Sequence, residues 1–262
     1  MIPRAEVLEW RQTHPWQGDD QVEQDLLLTR ALIDIFSEDD LGGMLAFRGG
    51  TALHKLYLHP PRRYSEDIDL VQVQAGPIGP IYDGVQKVLN PWLGSPSRKR
   101  GPGVANLIYR METTGPSVVP LKLKVEINTR EHFSIAGFVD REFSATSRWY
   151  TGQCNLMTYS LEELLGTKMR ALFQRRKGRD LFDLWLGLTE GGADPEIVVS
   201  IFRQYMHAEG TTVSRQEYLD NLTAKMVHPG FASDVAPLLV DGKEFTMNDG
   251  FSVVESMLLP LP

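Results

Sequence analysis

A chain of 262 residues that is 42% hydrophobic can bury a sizeable core, as one large domain or two modest ones. Its net charge of −7 argues against a dedicated nucleic-acid coat, which carries a basic excess, while leaving room for a local basic track. A single cysteine, Cys154, excludes an intramolecular disulfide framework and fits a reducing compartment. The opening MIPRAEVLEW lacks the basic head and apolar core of a secretion signal, and no run approaches the roughly 20 apolar residues of a membrane span. A soluble, cytoplasmic protein with no membrane partner is the expectation.

In chain order, Met1 to Asp19 reads as a lead-in with tryptophans at Trp10 and Trp16. Val22, Leu26, Leu27, Ala31, Ile33 and Phe36 then recur at helical spacing, predicting a helix from Gln21 to Phe36. Leu41-Gly-Gly stops it, and a short strand is expected over Met44 to Phe47. Gly49-Gly50-Thr51 turns into a helix from about Ala52 to Leu58, which Pro60-Pro61 ends, and Asp67 to Val73 reads as the next strand. Between Gln74 and Gly103 loops surround one helix, about Tyr82 to Leu89, with Arg98-Lys99-Arg100 as a basic knot in the loop.

Val104 to Glu112 and Leu121 to Asn128 are expected as strands of a hairpin joined across Gly115-Pro116. In the second, Leu121, Leu123, Val125 and Ile127 alternate with Lys122, Lys124 and Glu126, the period-2 pattern of a half-buried strand. A further strand-like region follows from about Ile135 to Trp149. Ser160-Leu-Glu-Glu163 has capping-box form and opens a helix to about Arg176. A second helix starts near Asp180, is closed by Gly191-Gly192 and Pro195, and helical segments continue to about Met226. The stretch Phe231 to Pro262 suggests a loop and one more helix. The expected layout is a mixed α/β domain over residues 1–155 and an α-helical domain over residues 156–262.

Asp67 and Asp69 lie two apart on a predicted strand, so both point to one face, opposite the apolar Ile68 and Leu70. Two carboxylates that close repel unless a cation neutralises them, and Mg²⁺ or Mn²⁺ takes such ligands together with substrate phosphates. Glu126 stands on the polar face of its strand, where it can add a third carboxylate for a two-metal clamp or simply pair with Lys122 or Lys124. Gly49, Gly50 and Thr51 place backbone N–H groups at a helix N-terminus, an arrangement that cradles phosphate. No G-x-x-x-x-G-K-[ST] P-loop occurs. Each motif is common alone; the signal is their combination.

Lys168 falls in the middle of the apolar stripe Leu161, Leu165 and Leu172, where a bare ammonium is costly to desolvate. Asp183 is embedded in a segment apolar nearly all round. The two can neutralise one another as a buried pair, or Lys168 can serve a nucleotide phosphate with Asp183 orienting it or acting as a base. Asp180 stands where it can cap the second helix. Arg62-Arg63, Arg98-Lys99-Arg100 and Arg175-Arg176-Lys177-Gly-Arg179 can form a track for polyphosphate or RNA, or lie on a solvated face. The six histidines show no metal-ligand spacing such as H-E-x-x-H.

F-R-G-G-T-A-L-H-K-L-Y, then R-Y-S-E-D-I-D-L, then K-M-R-A-L-x-x-R-x-K-G-R-D-L-F-D-L together resemble the AbiEii/AbiGii nucleotidyltransferase toxin family of abortive-infection and toxin–antitoxin pairs. The resemblance spans roughly Leu45 to Leu188 and implies a nucleotidyltransferase-like mixed sheet with flanking helices, followed by a helical C-terminal domain. It implies metal-dependent transfer of a nucleotide from an NTP to RNA, chiefly the tRNA 3′ end, which blocks translation and growth, and a cognate antitoxin as partner. On matched positions it implies nucleotide binding by Gly50 and Thr51, and metal binding by Asp67 and Asp69 with Glu126 a weaker third. It carries C-terminal motif roles to Lys168, Asp180 and Asp183. The alternatives are transfer to a protein or small-molecule hydroxyl, or a catalytically silent RNA- or partner-binding module. The active site is expected in a cleft between the two halves.

Overall fold

Seven strands form one mixed sheet in the order β3-β4-β5-β2-β1-β7-β6. In a computed structural model that describes residues 2–114, 118–240 and 245–258, the elements run as follows. Helices α1 (Arg4–Arg11), α2 (Asp19–Phe36) and α3 (Asp39–Gly42) precede β1 (Leu45–Arg48) and α4 (Gly49–Leu56). Next come β2 (Asp67–Gln72), α5 (Gly79–Leu93), β3 (Ser97–Gly101), β4 (Val104–Glu112), β5 (Pro120–Asn128), β6 (Val139–Thr146) and β7 (Thr151–Thr158). Helices α6 (Leu161–Gln174), α7 (Gly178–Thr189), α8 (Pro195–Ala208), α9 (Arg215–Met226), α10 (Pro229–Ala232) and α11 (Met247–Val253) complete the chain. Gly115 and Pro116, the expected hairpin turn, lie outside the described residues, as does part of the stretch after Phe231.

The chain divides into two compact units. The first comprises Met1–Ala52, Arg63–Phe133 and Phe138–Thr158, and the second Leu53–Arg62, Ser134–Gly137 and Tyr159–Pro262. All seven strands belong to the first. Strand β2 is central, antiparallel to β1 and parallel to β5, while β4 and β5 pair antiparallel over their full length. Leu121, Leu123, Val125 and Ile127 of β5 are buried, as the alternation predicts, and meet α2 on that side of the sheet. Helix α2 buries Val22, Leu26, Leu28, Leu32 and Ile35 completely. Its Gln24 Nε2 donates to the Lys122 carbonyl at 2.9 Å, tying helix to strand.

Four local readings differ from the structure. The lead-in is a docked helix: Trp10 is buried, stacks on His14 at 4.1 Å and donates its indole N–H to Asp25 at 2.8 Å. Arg98-Lys99-Arg100 is strand β3 at the sheet edge rather than a loop, and a charged edge discourages pairing with other chains. Thr151–Thr158, without strong strand propensity, is strand β7, held by parallel pairing with β1 at Phe47 and by Thr158 Oγ1 donating to the Phe47 carbonyl at 2.7 Å. Asp180 is not the N-cap of α7. That helix begins two residues earlier, with Lys177 at the cap position, which places Asp180 inside the first turn.

In the second unit, α6 packs on α7 and α8, and α11 packs on α7. Ser160 accepts from the Glu163 N–H at 3.2 Å, the serine half of the expected capping box. The Glu163 carboxylate goes elsewhere. It is wholly buried and accepts from Ser134 Oγ at 2.6 Å, Ile135 N at 2.7 Å, Ala136 N at 3.0 Å and Tyr205 Oη at 2.7 Å. Four donors on one buried carboxylate outcompete a helix-end bond.

Candidate active site

The first unit carries the predicted aspartates. Ile68 and Leu70 are buried at 0% and 1% exposure, so strand parity turns Asp67 and Asp69 to the other face. Pairing with β1 sets Arg48 opposite Asp69, and pairing with β5 sets Lys124 opposite Asp67 and Glu126 opposite Asp69. Asn106 of β4 lies opposite Glu126, completing one row, Arg48–Asp69–Glu126–Asn106, across four strands. The sequence places these residues on polar faces; only the register makes them neighbours.

Within this row Glu126 is not bare. Lys124 Nζ lies 2.9 Å from Glu126 Oε2 and 3.3 Å from Asp67 Oδ2. Partial burial pulls the Lys124 ammonium down, but the Glu126 bond and the charges of Asp67, Glu126 and Asp69 outweigh it, and the net shift is upward. Arg48 is drawn to Glu131 at 2.7 Å.

Where β1 passes into α4, Gly49 has φ +80°, a left-handed conformation that favours glycine. A Cβ built there would run into the Asp69 carboxylate, and one built on Gly50 would run into the Arg63 guanidinium. Gly49 is therefore needed for the close approach of helix start and strand, while Gly50 leaves room for the buried Arg63 guanidinium. Thr51 is 1% exposed; its hydroxyl donates to the Asp67 carbonyl at 2.6 Å and lies 2.9 Å from Ser65 Oγ. That bond fixes the helix start against the first residue of β2. It leaves the first-turn N–H groups, which have no intrahelical acceptors, as what the turn can offer an anion.

Among the described residues no group of three or more His, Cys, Asp and Glu is arranged to hold a metal ion. A site completed by substrate oxygens needs fewer protein ligands, since Mg²⁺ is usually bound through one or two carboxylates plus phosphates. Asp67 fits that role on its own geometry. Its Oδ1 is buried and has no hydrogen-bond partner, which is costly for a carboxylate oxygen unless a cation meets it. Asp67 and Asp69 could hold such an ion, with Glu126 reached only by displacing Lys124.

Lys168, Asp180 and Asp183 come together in the second unit. Lys168 Nζ is 3.0 Å from Asp180 Oδ1 and 3.0 Å from Asp183 Oδ2, with Lys168 6% exposed and both aspartates fully buried. Asp180 and Asp183 are three apart on α7 and so share a face. Asp180 also accepts from Arg175 Nε at 2.7 Å and Nη2 at 2.8 Å. Burial pushes the Asp180 carboxyl up, but Lys168 and Arg175 prevail and hold it below the usual carboxylate range. His54, which spacing rules for metals pass over, lies with Nε2 3.0 Å from Asp183 Oδ1 and is 3% exposed. Its only signal in the sequence is its place three residues after Thr51 in the glycine motif.

The basic clusters are largely engaged locally. Arg63 is 1% exposed and donates to the Tyr64 carbonyl at 2.9 Å, so it lies off any solvent-facing track. Arg98 reaches Asp83 and Gln86 on α5, and Lys177 and Arg179 reach Asp234. A cavity of about 740 Å³ in the first unit, lined by Arg30, Trp92, Trp149, Glu23 and others, contains none of the residues above.

The family model described as "Nucleotidyl transferase AbiEii toxin, Type IV TA system" matches residues 30–252. Among solved structures the chain is similar to MenT4, a nucleotidyltransferase toxin from Mycobacterium tuberculosis H37Rv. That match has a TM-score of 0.65 at 16% identity, covering 98% of this chain and 89% of that one. It is also similar to a protein from H. pylori assigned as a nucleotidyltransferase, with a TM-score of 0.56 at 16% identity and coverage of 93% and 96%. No curated protein matches the chain in sequence.

Proposed function

The chain belongs to the AbiEii family of nucleotidyltransferase toxins of type IV toxin–antitoxin systems, and from that premise we propose that it transfers a nucleotide from an NTP to an RNA acceptor, the tRNA 3′ end above all, and so blocks translation. Family membership also implies a cognate antitoxin as partner. The observation that carries the reading is the Asp67–Asp69 pair on one face of β2, with Asp67 Oδ1 buried and unpartnered.

In this reading Asp67 and Asp69 would hold a divalent ion, Mg²⁺ or Mn²⁺, which when bound would neutralise charge on the triphosphate and favour departure of pyrophosphate. Gly49, Gly50 and Thr51 form the nucleotide-binding turn, with N–H groups donated to phosphate oxygens. Lys168, Asp180 and Asp183 occupy the C-terminal motif positions and form a buried charge network within the second unit, with Lys168 Nζ 3.0 Å from each carboxylate. Arg175 and His54 hold those carboxylates in turn. The acceptor hydroxyl loses its proton to water and attacks the α-phosphorus, the bond to the bridging oxygen breaks, and pyrophosphate leaves with the electron pair.

The test incubates the protein with each α-labelled NTP, Mg²⁺ and total tRNA. Label on RNA is the expected result. Label appearing instead on protein or a small molecule, undiminished when RNA is removed, would overturn the choice of acceptor.

A further inference from the structure

Lys124 is placed unlike its strand neighbours. It faces Asp67 in the register, and its ammonium bridges Asp67 Oδ2 at 3.3 Å and Glu126 Oε2 at 2.9 Å with the side chain 23% exposed. Lys122, two residues earlier on the same face, is exposed and lies opposite Arg110. Asp67 meanwhile commits Oδ2 to Lys124 and leaves Oδ1 buried without a partner. One oxygen of the carboxylate is satisfied by a cation, and the other has no hydrogen-bond partner.

We infer that Lys124 is the resident counter-ion of this face: it competes with a divalent cation for Asp67 and Glu126, and passes to the nucleotide phosphates when metal and nucleotide enter together. This rests on reading the face as the NTP site. A divalent ion arriving alone either evicts the ammonium from two carboxylates or sits beside it and bears the repulsion of a double charge on a single one, twice that of two unit charges at the same distance. An ion arriving with a triphosphate brings acceptor oxygens for the displaced ammonium, and lysine's flexible four-carbon stem reaches them by bond rotation alone. Metal and nucleotide then bind with positive linkage, and Lys124 is the element through which each favours the other.

The experiment titrates Mn²⁺ by calorimetry into wild type, Lys124→Met, Lys124→Gln and Lys122→Met, each with and without a non-hydrolysable NTP analogue. Both Lys124 variants are expected to bind Mn²⁺ alone at least about tenfold more tightly than wild type, with a smaller gain on adding the analogue, while Lys122→Met matches wild type. In unmodified protein, amine labelling read by peptide mass spectrometry is expected to show Lys124 becoming more reactive when Mn²⁺ is added alone. Mn²⁺ affinity equal or weaker in the Lys124 variants, or labelling of Lys124 indifferent to Mn²⁺, overturns the inference and leaves the metal site standing. Absence of Mn²⁺ binding in every protein, analogue included, overturns both.

Discussion

Replacing Lys168 with methionine removes the one ammonium shared by two fully buried carboxylates. Its nitrogen is 3.0 Å from Asp180 Oδ1 and 3.0 Å from Asp183 Oδ2. At that separation each attraction is worth about 5 kcal/mol at an effective dielectric near 20, but desolvating three charges cancels most of it. Methionine keeps the desolvation of the aspartates and loses the attraction. Arg175 remains on Asp180 and His54 on Asp183, so the loss is partial. The expected destabilisation is about 3–5 kcal/mol, the range for breaking a buried pair from one side. Urea unfolding followed by circular dichroism on Lys168→Met, Asp183→Leu and the double variant measures it. The double variant should be less destabilised than the sum of the singles by at least about 1 kcal/mol. A Lys168→Met protein within about 1 kcal/mol of wild type, with unchanged denaturant slope, refutes the view of this network as a coupled buried unit.

Gly49→Ala places a side chain at φ +80° and against Asp69, and is expected to cost about 1–3 kcal/mol, read as a lower melting temperature together with lost transfer activity. Glu163→Gln turns an acceptor of four bonds into a group that presents its own N–H₂ to donors, and is expected to cost about 2–3 kcal/mol in chemical denaturation. Burial alone would raise the Asp234 carboxyl, but Arg179 and Lys177 hold it at about 2. Because that folded value lies below the ordinary 3.8, its contribution is present above pH 3.8 and fades as pH falls towards 2, and the lowered Asp180 adds to the same acid loss. Asp234→Asn should therefore be less stable than wild type by about 2 kcal/mol at pH 7, with the gap closing below pH 3.

The aspartate face was legible because β2 and β5 alternate apolar and polar residues, and a period of two fixes which side chains share a face. The glycine motif was legible as a phosphate-type turn, although the helix starts at Gly49 rather than Ala52, because positive φ at Gly49 lets the helix begin directly at the end of β1. Lys168 and Asp183 stood out as charges on apolar surfaces, and their pairing with each other is what the cost of burial demands. What could not be read depends on register and tertiary partners. That Lys124 rather than Lys122 reaches Asp67 follows from strand pairing, and Glu163 leaves its capping role because the Ser134–Ala136 backbone offers more donors. Strand β7 has little propensity of its own and exists because β1 and β6 flank it.

The central claim is that nucleotide transfer takes place at the Asp67–Asp69 face. It is tested most directly by comparing wild type with Asp67→Asn and Asp69→Asn, each verified as folded by circular dichroism, in α-labelled NTP transfer to total tRNA with Mg²⁺. Labelled RNA with wild type and its loss by at least about a hundredfold in both variants is the predicted result, since each substitution removes a carboxylate assigned to hold the divalent ion that neutralises the triphosphate. Transfer by both variants at the wild-type rate would contradict it.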